Sequence, residues 1–373
     1  MTSRERVALA INHKQPDRVP VDMGSTASGF TNHTFFKLKE VLGVTSPDIL
    51  MRPDESASYY NDELLEKLGG DFRHVFLLPP DNFEIQYKED GTFTNELGIE
   101  KKLIAGLAQN SSCPLADAET VEDIDKYPLP DPYNKGRVKG MKERAEHLYN
   151  NTTYAIAARS VSHGFFELAW ELRGMENFFV DMMVDKKFAN RLLDKTLEYQ
   201  MGLYDNLLSA VGPYVQIVET ADDYGTQSGP IMSPELFKEM ILPRRKKLNE
   251  FIKSKAPNAK IFHHTCGSVY KLLDYIIETG VDILNPVQPL AADMDSFRLK
   301  KEFGDRICFH GAIDEQVALV GDLKTLEEEV KTRISAFAPG GGYIMAPTSN
   351  FQDDMPIENI LNFVSLAKKY GTY

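Results

Sequence analysis

Short apolar runs rich in β-branched and aromatic residues recur along this chain, separated by longer stretches whose apolar positions repeat at helical spacing. Eight such runs stand out, at residues 18–24, 72–79, 153–160, 214–220, 260–266, 282–287, 306–311 and 342–347. Between them lie helical stretches such as 233–254, where Ser233-Pro234-Glu235 supplies a start signal, and 356–370. Strands alternating with helices are the pattern of parallel strands joined by crossovers, and eight units predict an α/β fold, a (β/α)8 TIM barrel. One segment breaks the alternation. Residues 83–103 read as an antiparallel hairpin with its turn at Glu89-Asp90-Gly91, inserted near the barrel mouth. The Pro-rich stretch 128–132 then acts as a stiff connector. No internal repeat is present, and a single barrel domain over 1–373, insertion included, is expected.

Composition narrows the class. With 373 residues, 42% hydrophobic and 26% charged, the chain can bury a large core, which excludes disorder and a small disulfide scaffold. Forty-two Lys and Arg against fifty-five Asp and Glu give a formal charge of −13, which repels a polyphosphate backbone. The basic clusters at 244–247 and 186–187 are short and lie in helical stretches, as solvated faces do, so no nucleic-acid partner is expected. Three cysteines, odd in number and far apart, form no disulfide framework and point to a reducing compartment, the cytoplasm by default. The polar opening residues lack the apolar core of a signal peptide, and no apolar run approaches a membrane span.

A barrel also filters the candidate chemistry, because catalytic groups gather where the strands end. Gly340-Gly341-Gly342 precedes the last strand and so belongs to the opposite face, as a tight turn. The fifth run ends His263-His264-Thr265-Cys266, and strand alternation lets His264 and Cys266 point the same way. An imidazole and a thiolate make half of a zinc site, or else a packed cysteine beside a hydrogen-bonded histidine. Glu219, ending the fourth run, is the adjacent third ligand; His310, ending the seventh, is the other candidate. Asp222 and Asp223 could divide acid and base roles, or one could serve as a helix cap. Asn285 and Gln288 offer amides to the mouth or to loop backbone. His163 and Glu167, four apart, share a helix face beside Phe165, Phe166 and Trp170, which form either a wall for a flat ligand or ordinary core.

Several blocks together resemble one family: Asn12-His13-Lys14-Gln15-Pro16-Asp17-Arg18-Val19-Pro20, His264-Thr265-Cys266-Gly267, the run from Gly280 to Gln288, and Phe309-His310-Gly311-Ala312-Ile313-Asp314. The chain resembles the uroporphyrinogen decarboxylase superfamily over nearly its whole length, and within it the corrinoid-dependent methyltransferase branch, which includes O-demethylase components. That resemblance implies a (β/α)8 barrel. True decarboxylases carry an Arg-Gln-Ala-Gly-Arg segment after the first strand to hold the tetrapyrrole propionates; residues 22–30 here contain no arginine. Thiol-methylating members bind zinc through His-x-Cys and a second cysteine after the last strand. This chain keeps His264 and Cys266 but has Ala346-Pro347-Thr348-Ser349-Asn350 there, so a carboxylate or histidine must substitute.

The resemblance therefore implies transfer of a methyl group from a small, O-methyl type donor to the cobalt of a corrinoid held by a partner protein. Zinc on His264, Cys266 and Glu219, or a proton from Asp223 or His310, would stabilise the leaving oxygen, with Asp222, His163, Glu167, Asn285 and Gln288 holding the substrate. Two alternatives stand beside this: a decarboxylase of the tetrapyrrole type, and a non-catalytic binder of a corrinoid or tetrapyrrole. A homodimer is left open.

Overall fold

The computed structural model describes residues 1–81, 83–104 and 107–373. Seven parallel strands lie side by side in chain order: Phe72–Val75, Ala155–Ala158, Ile217–Ala221, Lys260–His264, Ile283–Val287, Cys308–Ile313 and Tyr343–Pro347. The first run, expected as a full strand, contributes a single parallel bridge, Val21 to Met345. Its ladder cannot grow, because Pro20 has no N–H and the Val21 N–H is taken by the Asp71 carboxylate at 2.9 Å. The segment still fills the eighth position. On one side Asp22 N donates to Met345 O at 3.0 Å, and on the other Asp71 N donates to Val21 O at 2.9 Å, so the circle closes as a (β/α)8 barrel.

Asp71 is the clasp of that seam. Its two oxygens accept from Arg6 Nη1, from both terminal nitrogens of Arg18 and from Ser3 Oγ, all at 2.8 Å, besides Val21 N. The helix Ser3–Ala10, whose Thr2 and Glu5 form a capping box, is thereby held against the start of the barrel.

Alternation along the strands builds the interior in layers. Phe72, Ala155, Ile217, Phe262, Ile283, Cys308 and Ile344 pack together with Val7 and Ile11 as an apolar floor. Two residues further along, on the strands from 72, 217, 262, 283 and 308, stand His74, Glu219, His264, Asn285 and His310. The polar groups therefore rest on an apolar base, towards the ends of the strands where the loops converge.

The other expectations are met with adjustments. The three glycines all have positive φ, and a Cβ at Gly341 would lie 2.4 Å from Lys14 O, so the turn before the last strand needs them. The helix at 233–254 is Ser233-capped but contains a wide turn at Phe237–Ile241, just ahead of Pro243, which has no N–H to donate. The insertion is larger than a hairpin. The turn at 89–91 exists, with Gly91 at φ 80°, but the arm before it pairs only at Tyr87 with Phe93. The main sheet is three-stranded and antiparallel, Thr92–Thr94, Glu100–Ile104 and Leu107–Ser112. Its last strand ends Gln109-Asn110-Ser111-Ser112 and bonds through backbone, leaving no apolar alternation to read.

Candidate active site

The loops after the fourth and fifth barrel positions cross with backbone in contact. A Cβ at Gly225 would meet Cys266 O at 2.6 Å, and Tyr224 N donates to Thr265 Oγ1 at 2.9 Å. This crossing sets Asp223 beside the strand end, where its Oδ1 accepts the Cys266 N–H at 2.7 Å. His264 Nε2 then lies 3.5 Å from Cys266 Sγ and 3.6 Å from Asp223 Oδ1. Ligand atoms of Asp223, His264 and Cys266 all fall within 4.8 Å of one another. The alternation argument for His264 and Cys266 thus holds, and the carboxylate beside them is Asp223. Glu219 lies elsewhere, in a buried group with Asp22 and His74.

The donor set suits zinc. Bonds of about 2.3 Å to sulfur and 2.0–2.2 Å to nitrogen and oxygen separate tetrahedral ligands by roughly 3.3–3.6 Å, which matches both separations from His264 Nε2. The imidazole is also in the required tautomer. Asp22 Oδ2 can only accept, so at 3.1 Å it takes the Nε2 proton of His310. His310 Nδ1 then accepts from Asn285 Nδ2 at 2.8 Å, and Asn285 Oδ1 accepts the His264 Nδ1 proton at 2.7 Å. His264 Nε2 is left with its lone pair facing Cys266 and Asp223. Burial, with Asp223 and Glu167 nearby, pushes the Cys266 thiol well above its ordinary range, so a thiolate needs a cation beside it.

Several candidates have structural duties. Asp222 is buried: its Oδ1 caps the helix Phe165–Arg173 by accepting from Phe166 N at 3.0 Å and Glu167 N at 2.9 Å. Its Oδ2 accepts from Tyr224 Oη at 3.1 Å and pairs with Arg245. A Cβ on Gly164 would sit 1.7 Å from that carboxyl, so the cap depends on glycine there. Asn285 and His310 are likewise buried, and their side chains are hydrogen-bonded to one another and to His264 and Asp22. Gln288 Oε1 accepts Gly267 N at 2.6 Å and pins the turn after Cys266.

Glu167, half-buried on the capped helix, has its carboxyl raised well above the usual range by burial and by the Asp223 charge. His163 lies apart from it, with Nδ1 3.1 Å from Glu171 and Nε2 3.4 Å from Glu55. Glu171, followed by Glu55, raises its pKa to about 10. With Arg52, Lys101 and Leu97 it lines a cavity of about 90 Å³ walled on one side by the insertion. Phe165 and Phe166 are fully buried core, and Trp170 packs against it. Sequence reasoning overlooked His74, Glu171 and Glu55. Of these only His74 had a signal, two residues from Phe72 on one strand.

The comparisons place this barrel. A family model described as uroporphyrinogen decarboxylase (URO-D) matches residues 108–370. A uroporphyrinogen decarboxylase from Chlorobium phaeobacteroides is 25% identical over 201 residues, 52% of this chain and 53% of the relative. A methylated-thiol–coenzyme M methyltransferase from Methanosarcina mazei is 27% identical over 206 residues, 55% of this chain and 51% of the relative. The chain thus spans about half the length of these curated relatives. The solved structure of a methyltransferase from Methanosarcina mazei superposes with a TM-score of 0.70 at 18% identity, covering 99% of both chains. With more than half of its residues inside the matched model, this chain belongs to the uroporphyrinogen decarboxylase family.

Proposed function

We propose that this protein is a methyltransferase that moves a methyl group from a small O-methyl donor to the cobalt of a corrinoid carried by a separate protein. The observation that carries this reading is the convergence of Asp223, His264 and Cys266 at the mouth, with the Glu167 carboxyl, raised well above the usual range, held near Asp223. In balance, the methyl carbon leaves oxygen, the oxygen keeps the bonding pair and takes a proton, and the cobalt supplies the pair for the new bond. A zinc ion held by Asp223, His264 and Cys266 would supply Lewis acidity towards that oxygen. Glu167 delivers the proton, and Asn285 with His310 keeps His264 in its ligating tautomer. The sequence had given the proton to Asp223 or His310; the hydrogen bonds favour Asp223 as ligand and His310 as a positioning residue.

The methyltransferase among the relatives supports the reaction class. The decarboxylase alternative is not favoured, since residues 22–30 offer no guanidinium and fold onto themselves, Ser25 Oγ lying 2.7 Å from Ser28 Oγ. The deciding assay offers methoxylated donors with a reduced corrinoid protein and follows cobalt methylation. Methylation that falls about 10²–10⁴-fold in Glu167→Gln supports the reading. Carbon dioxide release from uroporphyrinogen, or tight corrinoid binding without turnover by any donor, would replace it with one of the two alternatives.

A further inference from the structure

Below the mouth, Asp22, His74 and Glu219 converge from three barrel positions, each almost wholly buried. His74 Nε2 lies 3.4 Å from Asp22 Oδ1 and 3.7 Å from Glu219 Oε1. Both separations exceed an ordinary N–H···O bond, and His74 Nε2 and Asp22 Oδ1 have no hydrogen-bond partner at all. Two facing polar atoms left bare in an interior are costly, and something must answer them.

Everything else about the three side chains is fixed. Glu219 Oε2 accepts Thr26 N at 2.8 Å, and Asp22 Oδ2 is bound to His310. Tyr60 Oη accepts the His74 backbone N–H at 2.8 Å and stands 3.4 Å from Nδ1 of the ring. On its other side the ring lies against Gly24, where a Cβ would come within 3.1 Å. A proton on Nδ1 facing Tyr60 leaves the Nε2 lone pair pointing between the two carboxylates. Arg159, the buried cation nearby, donates Nη1 to Met51 Sδ at 3.4 Å.

We propose that Asp22, His74 and Glu219 form a second metal site, for a divalent zinc-class ion enclosed within the barrel. The spacing of 3.4–3.7 Å is that of ligand atoms sharing a tetrahedral ion rather than hydrogen-bonding to each other. One dication against two carboxylates and a neutral imidazole balances charge within the ligand set. The ion would bind the first, second and fourth barrel positions together, and through Asp22 and His310 it would touch the same relay that orients His264. The site is independent of the methyl-transfer reading, because its readout is metal content.

The test uses the full chain expressed with zinc sulfate, with metal counted per chain. Wild type should hold two equivalents, and His264→Ala/Cys266→Ala should retain one. Adding Glu219→Gln or His74→Gln to that background should remove the remaining ion, while Glu219→Gln alone should keep the mouth ion. X-ray absorption of His264→Ala/Cys266→Ala should show only nitrogen and oxygen neighbours. A folded double variant free of zinc would overturn the site, leaving a hydrogen-bonded polar cluster without metal. Sulfur in the shell, or metal retained when Glu219→Gln is added to His264→Ala/Cys266→Ala, would overturn it equally.

Discussion

Asn285 links two imidazoles through the two ends of one amide. It carries the polarity imposed by Asp22, through His310, to His264. Asn285→Ala should therefore weaken zinc binding at the mouth by about 10–100-fold while the imidazole itself remains, measurable by chelator competition. Affinity equal to wild type would show that Asp223 and Cys266 orient the ion alone. Cys266→Ala should empty that site with little change in urea midpoint, because the thiol makes its contacts at the rim rather than in the apolar floor. The residue types at these positions were legible as chemistry, but their roles were not: a strand-end amide reads equally as substrate contact or tautomer control until its partners are known.

At the scale of elements, the helix Phe165–Arg173 is the most informative. Its N-terminus is capped by Asp222, whose other oxygen neutralises the buried Arg245. Asp222→Ala leaves that guanidinium uncompensated and should cost about 3–5 kcal/mol in urea unfolding. A loss of substrate affinity without destabilisation would restore the substrate-binding role expected from sequence. His163, just ahead of the helix, links it to Glu55 and Glu171. Its folded pKa of about 10 lies above the ordinary histidine value, so its stabilisation is fully present below about pH 6.5 and is lost as pH rises towards 10. Melting temperatures across that window should fall less steeply for His163→Gln; identical slopes would mean that another group governs the decline. Sequence spacing had joined His163 to Glu167 on one face, yet the charged partners that define His163 come from a distant loop and from the next turn of the helix.

For the whole molecule, closure depends on the seam between the 18–24 segment and its neighbours. Asp71 gathers Arg6, Arg18, Ser3 and Val21 at that point, so its loss would leave buried guanidinium and backbone donors unanswered together. Asp71→Ala should destabilise the fold by about 3–5 kcal/mol and release amide-exchange protection first around residues 18–24. Uniform loss of protection around the barrel would show that the seam is no weaker than the other staves. Among the described residues no helix is long and apolar enough to cross a membrane.

The sequence by itself determined the order of strands and helices, the barrel they form, and the facing of His264 with Cys266, because period-two alternation and crossover chirality are local rules. It also separated the mouth from the glycine turn on the opposite end. Only the tertiary structure decided that Asp223 rather than Glu219 stands beside His264, that Asp222 is a cap, and that Glu219 faces Asp22 and His74. Those pairings are set by how two glycine-bearing loops cross and by which groups meet across the barrel interior. Both depend on distances between residues remote in the chain, which no local pattern encodes.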